Sequence, residues 1–122
     1  MTRKIIFGDL VSVPENKITA VRLETRKSGT IGEHYGREYH YLKVIFLIGD
    51  TPIEKEILLA MGTDGYGDAK PINEKLFRLL HRDGFGEDQK TELSTFLMDK
   101  YEEGEVREKD MMAKINEIFL IE

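Results

Sequence analysis

Between Glu38 and Ile48 the chain alternates with period two. His40, Leu42, Val44, Phe46 and Ile48 fall on one side, and Tyr39, Tyr41, Lys43, Ile45 and Leu47 on the other. An uninterrupted period of two in aromatic and β-branched residues is the pattern of a strand, since a helix of the same residues would scatter its apolar groups around its circumference. The first side is apolar from Leu42 onward. The second turns apolar only at Ile45 and Leu47, so the strand is half buried where it begins and buried on both faces where it ends. Such a strand has to be central, and the chain must supply neighbours on either edge.

The flanking sequence supplies them. Lys4–Val13, rich in Ile, Phe and Val, reads as a first strand stopped by Pro14, with a turn over residues 14–17. Ile18–Arg26 is extended, with Val21 and Leu23 on one face and Arg22, Glu24 and Arg26 on the other. A loop with three glycines, Lys27 to Arg37, leads into the central strand. Residues 49–52 turn the chain back, and Ile53–Met61 is its antiparallel partner. Beyond a glycine-rich loop at residues 62–68 the period changes: Ile72, Leu76, Phe77, Leu79 and Leu80 lie at helical spacing within Pro71–Arg82, and Gly84 is placed to end that helix. A shorter helix is expected over Lys90–Met98, and Lys100–Glu108 is polar enough to make an edge strand at best. Residues 111–121 fit a strand through Ala113, Ile115, Phe119 and Ile121, or a helix through Met111, Ile115, Ile118 and Phe119. The whole, residues 1–122, reads as one α+β domain: an antiparallel β-meander or OB-like barrel, with one or two short helices after the first four strands.

The order of these elements also carries a resemblance. A hairpin ending in Tyr39–Ile48, the Asn73–Leu80 helix, Glu92–Phe96, and a closing Ala113–Ile121 are similar in layout to small phage or mobile-element proteins with an OB-like barrel, several of which bind single-stranded DNA. The similarity spans most of the chain. Where such proteins often open the penultimate strand with Gly-Lys, this chain has Asp99-Lys100. The resemblance implies a strand at residues 111–121 and a single-stranded nucleic acid as ligand.

Side-chain chemistry narrows the function further. The absence of cysteine excludes disulfides, thiolate zinc sites and a thiol nucleophile. No serine stands in a nucleophile elbow, and His34, His40 and His81 show no metal-ligand spacing, so neither an enzyme, a metal nor a cofactor is expected. The sequence His81-Arg-Asp-Gly-Phe-Gly86 is helix punctuation, and residues 62–68 lack the Gly-Lys-Ser/Thr of a phosphate loop. No apolar run is long enough to span a bilayer, and the basic pair at Arg3 and Lys4 leads to no signal-peptide core, which together suggest a cytoplasmic protein.

The net charge is −5, but residues 1–50 hold eight Lys/Arg against six Asp/Glu while residues 51–122 hold ten against seventeen. The first half therefore offers a local cationic face. Arg22, Arg26, Lys27, Arg37 and Lys43 can follow phosphates while Tyr39 and Tyr41 stack on bases, the combination that single-strand binding requires. The acidic second half suggests the alternative, a protein-binding inhibitor or adaptor such as a phage counter-defence protein, which would hold a basic partner through Glu102, Glu103 and Glu105.

Overall fold

In a computed structural model, which describes residues 2–13, 17–28, 37–63 and 73–120, the chain is α+β, with two three-stranded sheets and three helices. The first sheet holds β1 (Arg3–Phe7), β2 (Asp9–Val13) and β6 (Glu105–Arg107), in the order β2-β1-β6. The expected single strand over Lys4–Val13 is thus a hairpin. Gly8 reverses it at φ +79°, a conformation open to glycine, and Phe7 pairs with Asp9 across it. β6 runs parallel to β1, setting Val106 opposite Ile5, and both side chains are buried.

The second sheet is the expected meander: β3 (Ile18–Ser28), β4 (Arg37–Ile48) and β5 (Thr51–Thr63), antiparallel, with β4 in the centre. Gly49, at φ +61°, opens the two-residue turn that pairs Ile48 with Thr51. Between His40 and Tyr41 the register with β5 slips by one: His40 lies opposite Ala60 and Tyr41 opposite Leu58. Leu59 is the extra residue of this bulge, and both Leu59 and Ala60 are buried. Among the described residues the two sheets do not close into a barrel.

The inner face of the meander meets the first sheet and the helices in one apolar core. Val21, Leu42, Val44, Phe46 and Ile57 pack with Ile5, Phe7 and Val106 and with the buried residues of α1 (Glu74–Arg82), α2 (Glu87–Glu102) and α3 (Glu108–Ile118). Phe7 meets Phe46 edge-on at 5.7 Å, joining the sheets. α1 begins at Asn73, whose side chain accepts a hydrogen bond from the Leu76 N–H, and buries Leu76 and Leu80 at a spacing of one turn. It lies against β5, while α2 lies against β3 and also touches α3 and the first sheet. α2 is longer than the apolar pattern of Lys90–Met98 implies, because Tyr101 continues the buried row of Leu93 and Leu97.

The C-terminal segment corrects the strand reading. Residues 108–118 are helical, burying Met111 and Ile115 on one stripe, with Glu108 and Asp110 in the first turn where the helix dipole favours anions. Intrinsic propensity and the spacing of Met111 and Ile115 prevail over the β-like Ile118-Phe119-Leu120 ending. Most of the expected turn at residues 14–17, of the loop from Lys27 to Arg37 and of the glycine-rich loop at 62–68, with the helix start at Pro71–Ile72, lie outside the described residues.

Candidate functional site

The outer face of the meander carries most of the cationic and aromatic residues singled out from the sequence. Alternation and antiparallel register set Arg22 beside Ile45, Glu24 beside Lys43 and Arg26 beside Tyr41. Tyr39 and Tyr41, two positions apart on the central strand, are half buried and stack on each other with ring centroids 6.3 Å apart. The Arg26 guanidinium sits 4.3 Å from the centre of the Tyr41 ring, a cation–π contact. Ile45 on this face is buried to 2% exposure but stands apart from the main core cluster.

Two cations of this face already hold carboxylates. Arg26 donates from Nε and Nη2 to the two oxygens of Glu56, at 3.2 and 2.9 Å, and Lys43 lies 3.8 Å from Glu54. The fork to Arg26 draws the Glu56 pKa below its ordinary value and raises that of Arg26. Around the tyrosine pair, two cations of the basic stripe anticipated from residues 1–50, Arg26 and Lys43, are thus countered by glutamates of β5. Arg37 opens β4 opposite Thr63; its side chain lies outside the described residues.

Lys27 belongs elsewhere. It is part of β3, paired with His40, and so points to the inner face, where its Nζ lies 3.5 Å from Glu38 Oε1. Glu38 is a carboxylate at only 3% side-chain exposure. Its Oε2 accepts from His40 Nε2 at 2.9 Å and from His81 Nδ1, at the end of α1, at 2.7 Å. Phe77 lies against both imidazoles, edge-on to His40 at 5.4 Å and parallel to His81 at 5.6 Å. Burial pushes the Glu38 pKa up, but the hydrogen bonds from His81 and His40 and the charges of His81 and Lys27 outweigh it, and the net shift is downward. The carboxylate is held ionised in the protein's interior by a ring of nitrogen donors.

Beside this cluster lies a cleft of about 250 Å³, lined among others by Thr25, Lys27, His40, Leu59, Leu80 and Phe85. The β5 bulge delivers Leu59 to it, and the turn closing α1 delivers Phe85. That turn is the expected helix punctuation, with the Gly84 N–H donating to the Leu79 and Leu80 carbonyls. The sequence signal for Glu38 and His40 was their i, i+2 spacing on the inward side of β4. Nothing in the spacing indicates His81, which reaches Glu38 from 43 residues away.

The acidic alternative is also locally satisfied. Glu102 pairs with Arg3 at 3.3 Å, Glu103 with Lys100 at 3.4 Å and Glu105 with Arg107 at 3.1 Å. No family model, curated protein or solved structure matches the chain.

Proposed function

We propose that this chain is a binding domain that receives single-stranded nucleic acid on the outer face of β3, β4 and β5. The observation that carries this reading is the stacked Tyr39–Tyr41 pair on the outward side of a central strand. Aromatic rings at alternate positions of a sheet's open face are a platform on which successive bases can stack, each stack contributing roughly 1–3 kcal/mol with little regard to base identity. Arg22, Arg26 and Lys43 border the platform and can turn toward phosphates. Because Arg26 and Lys43 must first release Glu56 and Glu54, stacking supplies most of the affinity and the salt dependence is shallow. The resemblance to OB-like phage proteins adds no support, since the closing strand it implies is the helix α3.

The test is fluorescence anisotropy of a labelled single-stranded oligonucleotide at low salt, with wild-type protein and with Tyr41→Ala. Binding weakened roughly tenfold in the variant, with an unchanged circular dichroism spectrum, is the expected result. Absence of binding to both DNA and RNA single strands, or equal binding by the two proteins, refutes it.

A further inference from the structure

The geometry points to a second site, on the inner side of β4: we propose that Glu38, His40 and His81 bind a zinc-class divalent transition metal ion beside the adjoining cleft, which Arg26 and Tyr41 of the tyrosine face also line. Their donor atoms, one carboxylate oxygen and two imidazole nitrogens, all lie within 4.8 Å of one another. Both imidazoles aim at the same oxygen, Oε2 of Glu38. Two nitrogens directed at one carboxylate oxygen bring three donors close enough to share an ion, once each nitrogen gives up the proton it donates to Oε2. Metal–ligand bonds of about 2.0–2.2 Å place tetrahedral donors a little over 3 Å apart. The 2.7 and 2.9 Å hydrogen bonds must therefore open by several tenths of an ångström.

The surroundings allow that movement and limit it. His81 is 48% exposed at the end of α1, on its solvent side, whereas His40 and Glu38 are held in β4. Phe77, in contact with both rings, sets their planes. Lys27 lies against the other oxygen, Oε1, and leaves Oε2 to act as a single-oxygen ligand. This is the outer-sphere orientation that ligating carboxylates usually receive. His40 and Lys27 also line the cleft. A fourth coordination position directed there would be filled by water or by a ligand atom, as in zinc sites that keep one position open.

Donor chemistry selects the ion. Two imidazoles and one carboxylate suit zinc, cobalt or iron(II), whereas calcium and magnesium demand a shell of oxygens that the cluster does not offer. The buried carboxylate supplies the negative charge that a divalent ion requires.

Tag-free protein, stripped with a chelator and dialysed, would be titrated with Zn(II) by calorimetry and with Co(II) by visible absorption. The expected result is one equivalent of Zn(II), a Co(II) ligand-field band that Zn(II) abolishes, and no competition from a large excess of Mg(II). His81→Ala should weaken Zn(II) binding at least tenfold; its exposed position makes it the variant least able to disturb folding. Glu38→Gln should do the same, and circular dichroism shows whether it has folded; if it has not, His81→Ala alone decides. Failure to bind one equivalent, or binding unchanged in His81→Ala, overturns the assignment. The oligonucleotide assay is scored separately, so either site can fail without the other.

Discussion

Replacing Glu38 with glutamine tests the buried cluster in the absence of metal. The substitution keeps the shape and one acceptor oxygen but removes the charge that His40, His81 and Lys27 surround. A hydrogen bond to a buried charged group contributes about 1.5–3 kcal/mol net. His40 counts fully, at 11% exposure, whereas His81 and Lys27 are about half exposed and screened by solvent. With the amide oxygen recovering part of the loss, the variant should be about 2 kcal/mol less stable near neutral pH.

The pH dependence supplies the sharper test. Glu38 titrates below its ordinary value of 4.5 in the folded protein, so its contribution is fully present above that value. It declines as the pH falls from there toward and through the folded-state pKa. Urea unfolding followed by far-ultraviolet circular dichroism, with chelator present, measures both proteins at about pH 6 and at steps below 4.5. The gap between them should narrow across those steps. A difference under about 0.5 kcal/mol at the higher pH, or a gap that stays constant as the pH falls, would refute the account of Glu38 as a charged, paired carboxylate.

Two other substitutions probe the remaining architecture. Glu56→Gln frees Arg26 for phosphate, so oligonucleotide binding should tighten and the slope of log affinity against log salt should steepen by about 0.7, measured by anisotropy over a salt series; an unchanged slope means that Arg26 does not reach the ligand. Leu97→Ala removes a side chain with 0% exposure from the α2 row facing the core, and should cost about 2–5 kcal/mol in urea unfolding. A loss below about 1 kcal/mol would show that α2 is not held there by that row.

The central strand was legible because its pattern is long and unambiguous, and its half-buried start was visible in Tyr39, Tyr41 and Lys43. Its neighbours followed from glycine and proline punctuation. The exception was Gly8, which sits inside an apolar run and splits one expected strand into a hairpin. The closing residues misled in the opposite direction, since Ile118-Phe119-Leu120 look β-like while the preceding turns bury Met111 and Ile115 as a helix does. Lys27 was assigned to the cationic face by its charge, although its parity relative to Arg22, Glu24 and Arg26 sends it to the other side. The neutralising glutamates of β5 were not legible, because pairing Arg26 with Glu56 depends on a strand register that a bulge shifts. His81 was read for its place at a helix end, and only the packing of α1 shows what its ring meets.

The parallel seam between β1 and β6 orders events along the chain. The meander closes through connections of short span, whereas Ile5 must wait for Val106, about a hundred residues later, before its strand gains a second neighbour. On the ribosome the meander can pair while the remainder is still being made. The β1–β2 hairpin, made before β6, keeps its β1 edge unpaired until β6 emerges, and that edge is open to any other strand in the interval. Its two-strand span is short, which limits that exposure. Strand β1 thus gains its second neighbour only after the chain through Val106 has been made.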